Sequence, residues 1–250
     1  MLTAINNIAK IDSIFSQVIS ARFNSTLPIS LKVLEQIDPN RYLLTLGNKT
    51  VETKSHTPLE KGASYWGEFK NSKENILQIS NLLKKPDFEQ KKESKILFTF
   101  NQLNEIFSKD KPKKALKETI LQKMSLTDDK KDFMQLGNML LSLEENIFFI
   151  PFAYEKRRYF FQFKKKQKND IVKKEKAIEF YASFKNLGPV KGIVKSADNF
   201  KKVILYLYYE KSKRFLKEQM KYLDMQSELH ISKDIEPLFE SCEKLLDIKG

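Results

Sequence analysis

The sequence has a single cysteine, Cys242, and only two histidines, His56 and His230, in 250 residues. One thiol cannot form an internal disulfide or a cysteine-rich metal site, so Cys242 reads as a small side chain buried in a last helix. Neither histidine has a second His or a Cys at metal-ligand spacing, which leaves solvated or hydrogen-bonded structural roles for both. Glycine is sparse, at 7 residues, and none builds the phosphate-cradling loop G-x-x-x-x-G-K-[ST] or G-x-G-x-x-G. The G-x-S-x-G elbow and the H-E-x-x-H zinc motif are missing as well. The carboxylates Asp128-Asp129 and Glu144-Glu145 are sequence neighbours, and adjacent residues on a helix do not converge on a substrate. Together these absences point away from an enzyme and imply no cofactor and no metal. No run approaches the ~18 consecutive apolar residues of a membrane span. Residues 1–22 lack the basic cap and unbroken apolar stretch of a signal peptide. The expectation is a cytoplasmic protein without a membrane span.

Arginine is scarce too. Lys and Arg total 45 against 32 Asp and Glu, a net charge of +13 carried almost wholly by lysine. A basic chain is drawn to phosphates, anionic lipid and acidic proteins. Arginine is the residue that reads bases and phosphates bidentately, so its scarcity weakens the nucleic-acid reading without removing it. That reading stands as the alternative function, using an N-terminal barrel and the basic loop at residues 164–176. Trp66, the one tryptophan, would be its stacking platform. Strand alternation, however, places Trp66 opposite Tyr65 and Phe69, and core packing is the plainer role. The basic–aromatic run Tyr159 to Lys166 likewise reads as a strand buried on both faces that ends in a solvated loop.

What is present is apolar surface in periodic order. The hydrophobic fraction is 41%, with 19 Phe and 9 Tyr, enough to build cores. Leu2, Ile5, Ile8, Ile11, Phe15, Val18 and Ile19 recur at helical spacing and predict an amphipathic first helix. Such a helix packs on the barrel next to it in sequence or binds a partner. From Ile29 the period becomes two. Strands are expected around Ile29 to Ile37, Tyr42 to Leu46, residues 50–54, residues 65–70 and residues 75–79. The turns are marked by Asp38-Pro39-Asn40 and Gly47-Asn48. Five short strands of this kind suggest a small barrel or curled sheet. Residues 84–95 read as a linker with little to bury.

The helical period returns at Ile96, Leu97, Phe100, Leu103, Ile106 and Phe107. Pro112 suits the first turn of a second helix with Leu116, Ile120, Leu121 and Met124 on its face. Thr127-Asp128-Asp129 caps a third at residues 130–144, with Phe133, Leu136, Met139, Leu140 and Leu141 inward. Strands are then expected at residues 147–154, 159–163, 177–184, 190–195 and 203–209. After them come an amphipathic helix at 211–224, an edge strand at 229–231 and a final helix at 234–246 with Pro237 in its first turn. The fold class is α+β: a small N-terminal β-barrel-like domain, a helical middle segment, and a C-terminal, mostly antiparallel sheet with helices on one face. The expected division is an N-terminal helix and barrel-like domain at 1–83, a linker at 84–95, a helical segment at 96–145 and a C-terminal domain at 146–250.

One stretch is more specific. Residues 177–223 combine Ala-Ile-Glu-Phe-Tyr-Ala-Ser-Phe, the turn Leu187-Gly188-Pro189-Val190, an alternating strand and a helix with Phe215, Leu216 and Leu223. This order resembles the C-terminal domain of the flagellar hook-length control protein family, whose hallmark is a Leu-Gly-x-Val turn between two strands. The hairpin of Phe148 to Phe152 and Tyr159 to Phe163 is similar to one found upstream in divergent members. The chain departs from the family at Phe184, where better-known members carry proline, and shows a compact barrel-like segment where a hook-length ruler has a long Pro- and Gln-rich half. The resemblance implies a non-catalytic protein that docks on a flagellar export-gate protein, with hook or hook-cap proteins as further partners. It implies a type III export specificity switch, with passage through the secretion apparatus left open. By the same resemblance Leu187, Gly188, Pro189 and Val190 are the candidate partner-binding residues; shaping a turn is their other reading.

Overall fold

The computed structural model describes residues 27–47, 49–70, 77–90, 94–154, 157–166, 176–197, 200–223 and 225–241. The expected first helix, most of the basic loop and Cys242 lie outside the described residues.

Strands β1 (Ile29–Asp38), β2 (Arg41–Leu46), β3 (Lys49–Lys54), β4 (Ser64–Lys70) and β5 (Leu77–Lys84) form the N-terminal sheet. Alternation decides which side faces inward: Leu31 and Val33 of β1 and Tyr42, Leu44 and Leu46 of β2 are buried in one cluster. Gly47, at φ 61°, turns β2 into β3, a conformation that costs glycine little. The pairings run β1-β2-β3-β5-β4, and β4 pairs with β1 again. All are antiparallel except β3 with β5, a parallel joint of only two residue pairs, Thr53 with Leu77 and Lys54 with Gln78. Strand β5 runs on to Lys84, beyond the expected residues 75–79, because it carries a bulge. The register with β4 shifts between Trp66 and Glu68. Asn81 sits at φ 50° and donates from Nδ2 to the Glu68 carboxylate at 2.5 Å. Bulges of this kind re-aim backbone groups.

The stretch expected as a linker is better packed than its charges suggest. It contains a one-turn helix, α1 (Asp87–Gln90). Phe88 is buried with its ring edge-on to Phe149, Phe160 and Tyr181, at 5.2, 5.3 and 6.4 Å between centroids. A lone phenylalanine among lysines gives no periodic signal, although one aromatic side chain carries a large apolar area.

The middle segment holds α2 (Phe100–Ser108), α3 (Pro112–Ser125) and α4 (Lys130–Glu144). Helix α2 starts later than expected. Thr99 accepts from Gln102 N while the Gln102 side chain accepts from Thr99 N, and this reciprocal cap fixes the start. Ile96 and Leu97 therefore lie in extended chain, and Phe98 bridges to Phe152. Asp129 caps α4 by accepting from Lys131 N and Asp132 N at 2.8 and 3.0 Å. Leu116, Ile120, Leu136 and Met139 are buried as expected, whereas Leu121, Phe133 and Leu141 are exposed. The apolar stripe is wider than the surface it packs on.

The C-terminal sheet is β6 (Ile147–Tyr154), β7 (Arg157–Lys165), β8 (Lys176–Phe184), β9 (Gly188–Ala197), β10 (Phe200–Leu207) and β11 (Gln226–Ile231), in the order β11-β10-β9-β8-β7-β6. Its pairings are antiparallel except β10 with β11, which is parallel. Helix α5 (Glu210–Gln219) and a 3-10 turn (Met220–Tyr222) make that crossover.

The final helix expected at 234–246 is not formed over the described residues 234–241, which are irregular. Gln162, completely buried in β7, explains why. Its Oε1 accepts from Leu238 N at 2.8 Å and Phe239 N at 3.0 Å, and its Nε2 donates to Phe239 O at 2.8 Å. A side-chain amide takes over the backbone pairing that a helix would otherwise supply. Ile235 and Phe239 are thereby held in the main core. Gln162→Leu would strand three backbone groups. It should lower the unfolding free energy by about 2–4 kcal/mol and raise hydrogen exchange at Leu238 and Phe239 selectively, read by denaturant titration and exchange mass spectrometry.

Candidate docking surface

Cross-strand register makes one face of the C-terminal sheet apolar over its whole width. One row reads Phe148, Phe163, Phe180, Gly192, Leu205 and Leu229 from β6 to β11. The next reads Ile150, Phe161, Ala182, Val190, Leu207 and Ile231. The opposite face starts apolar, with Phe149, but continues as Gln162, Tyr181, Lys191, Tyr206 and His230. Paired residues share a face, so the first face needs cover across all six strands and the second across only half.

Among the described residues the cover on the apolar face is incomplete. Phe107 of α2 lies against Phe148 and Phe163, at 5.7 and 5.6 Å. Leu216 of α5 packs on Val190, Val203, Leu205 and Leu207. Between these helices lies a groove of about 440 Å³, with Phe161, Phe180 and Val194 on its floor and Leu216 and Met220 in one wall. Ile178 at its edge is 43% exposed. Gly192 keeps the floor level: a Cβ there would stand 2.5 Å from the Phe180 ring and 2.8 Å from Leu205. A concave, apolar trough of this size can take several side chains of a ligand.

The four residues singled out by resemblance lie beside this groove and are buried rather than displayed. Gly188 has φ 77°, and a Cβ on it would meet the Tyr209 ring at 2.7 Å. Ser212 Oγ donates to Leu187 O at 2.8 Å, which ties the start of α5 to the turn. Leu187 is 1% exposed, and with Val190 it lines the groove. Pro189 faces the other way, into a cleft of about 300 Å³ beside Trp66 and Phe88. Their geometry is that of a turn that shapes the groove; a ligand would meet the floor and walls.

Trp66 is fully buried. Its Nε1 donates to Phe184 O at 3.0 Å, and Lys85 Nζ lies 4.7 Å from its ring centroid. Tyr209 Oη donates to Asn81 O at 3.0 Å, the carbonyl re-aimed by the β5 bulge. Trp66 thus joins the N-terminal and C-terminal sheets and is not free to stack on a base. The outward position that alternation gave it was the signal for this junction. Of the histidines, His56 is exposed in its loop and His230 stacks on Tyr206 at 5.6 Å. The lysines near the sheet's polar face are partly neutralised: Glu179 pairs with Lys164 and Lys191 at 3.7 and 3.4 Å. Among the described residues no group of three or more His, Cys, Asp or Glu is placed to hold a metal ion, and no helix is long and apolar enough to cross a membrane.

Sequence reasoning missed the buried acids, Glu68 and Asp132 and also Glu89. The Glu89 side chain is 7% exposed, 3.8 Å from Lys85 Nζ, and accepts a hydrogen bond from Ser183. Burial pushes its carboxyl above the ordinary glutamate value, against the pull of Lys85. Burial likewise raises the Tyr181 hydroxyl, and the Glu89 charge adds to it.

No family model matches the chain, no curated protein matches it, and no solved structure matches it.

Gly188→Ala puts a methyl group into the Tyr209 ring at positive φ and should cost about 2–4 kcal/mol. Gly62→Ala, also at positive φ (83°) but with no atom within 4 Å of the added Cβ, should cost nearer 1 kcal/mol. Paired thermal melts separate the steric from the backbone term. For Glu89, an acid whose folded pKa exceeds its unfolded one holds extra protons in the folded state. Stability then falls as pH rises from the ordinary glutamate value through the raised one. Glu89→Gln should flatten that fall, read as the difference between the two proteins' urea midpoints against pH.

Proposed function

We propose that the protein is a non-catalytic docking protein of the flagellar hook-length-control type, which switches type III export specificity by binding an export-gate protein. The observation that carries this reading is the apolar groove on the C-terminal sheet, with Leu187 and Val190 in its lining. The strand–turn–strand–helix order of residues 177–223 that resembles the family supports it, with Gly188 at the positive φ such a turn exploits. In this reading the N-terminal sheet is a barrel-like domain, the helices of the C-terminal sheet serve one face, and binding needs shape rather than a reactive side chain. Cytoplasmic synthesis, with or without export through the flagellar apparatus, and hook or hook-cap proteins as secondary partners belong to the same proposal. The nucleic-acid alternative would have to work without Trp66, whose indole is consumed by the Phe184 carbonyl.

The test is genetic and biochemical. A strain lacking the protein should make overlong hooks or lack filaments; normal hooks with normal filaments would overturn the reading. Purified full-length protein should bind the cytoplasmic domain of the export-gate protein. Ile178→Glu, at an exposed position on the groove edge, should weaken that binding at least tenfold while leaving the melting temperature unchanged.

A further inference from the structure

The described chain begins inside the cluster that lines the groove. Leu27 is buried against Leu187, Val190, Val203, Leu205, Leu207 and Leu216. Of these, all but Leu207 also line the groove. Leu27, the first described residue, therefore lies beside the part of the apolar face that the described residues leave open.

The preceding 26 residues fit that opening by pattern, length and charge. Leu2, Ile5, Ile8, Ile11, Phe15, Val18 and Ile19 recur at helical spacing, which places them along one stripe. As a helix, residues 2–19 would measure roughly 27 Å. The nine residues of β7 and of β8 span about 30 Å along the strands, so such a helix would match the length of the groove between α2 and α5. The groove walls carry no charged side chain. Within the segment, Lys10 falls opposite the stripe, and Asp12 is the charge inside its arc. Lys165 pairs in register with Ile178 at the groove edge, on the same face, and is exposed. It would offer a counter-charge at the rim to an acid such as Asp12 on a segment seated there.

We propose that the apolar stripe of residues 2–19 covers the groove of its own chain, so that a partner reaches the docking face only by displacing it. The inference rests on the docking reading for its consequence, but its own test involves no partner. A ligand tethered next to its site has a high effective concentration. Modest intrinsic affinity then suffices to keep the groove covered, and a partner must exceed it.

The test uses the full chain with Cys242→Ser and Ile178→Cys, combined with one cysteine at a time in the N-terminal segment. A short thiol-to-thiol cross-linker should join Ile178→Cys to Ile8→Cys, Ile11→Cys and Phe15→Cys within one molecule. Yields should be at least fivefold above those for Asn6→Cys, Lys10→Cys and Gln17→Cys, which lie on the other side of the stripe. Thermal melts of each pair keep the comparison among folded proteins. Equal yields on both sides, no cross-link at any position, or products joining two copies would each overturn the proposal. Periodic intramolecular cross-links without export-gate binding would sink the docking reading alone. Export-gate binding without the periodic pattern would sink this one alone.

Discussion

Everything in the C-terminal half depends on covering a sheet whose two faces are unequally apolar. Burial of apolar surface is the dominant stabilising term at roughly 25 cal/mol per Å², so an uncovered row of phenylalanines is a strong demand on the rest of the chain. The half-apolar face is met by segments that look dispensable in sequence. Phe88 of α1 and Phe239 of the irregular tail both close on Phe149, at 5.2 and 6.2 Å. The fully apolar face is met by α2 at one side and α5 at the other, and among the described residues the middle stays open.

The same demand explains why the two sheets are joined as they are. Trp66 points away from the interior of its own sheet and finds cover only against the C-terminal one, donating to Phe184 O. Tyr209 returns the contact by donating to Asn81 O. Two buried donors on large aromatic bodies each need an acceptor, and each finds a backbone carbonyl in the other sheet. Phe184 ends β8 and Tyr209 precedes α5, so the junction brackets the Leu187–Val190 turn and holds it still. The ring of Tyr209 over Gly188 is part of that bracket.

Sequence periodicity located most strands and all three middle helices, because each buries one face at a regular spacing. It placed Tyr42, Leu44, Leu116 and Leu136 inward correctly. It failed where cover is supplied by isolated side chains. Phe88 lies among charges, and Phe239 lies in a stretch whose pattern resembles a helix. Gln162 reads as the single polar residue in an aromatic run, although its amide decides the path of the chain 77 residues later. Long-range hydrogen bonds of that kind leave no local trace. The groove was hidden for the same reason. Its floor is a product of register across four strands, and no single strand shows it. The turn residues Leu187 and Val190 were visible only through resemblance, and resemblance gave no hint that they would be buried.

The charge distribution bears on how such a surface would act. The chain is strongly basic, yet the groove lining is apolar and nearby lysines are engaged, Lys164 and Lys191 with Glu179 and Lys202 with Glu228. Attraction through the groove would therefore be dispersive and hydrophobic, with little dependence on salt. Attraction through the exposed lysines would be long-ranged and would fall within about 10 Å at 0.1 M ionic strength. On an acidic partner the two would act in sequence: lysines would bring it near, and shape would hold it. A polyanion such as nucleic acid would use only the first step, and its hold would collapse with rising salt. The groove separates the two classes of partner because its floor of phenylalanine and valine offers a phosphate nothing.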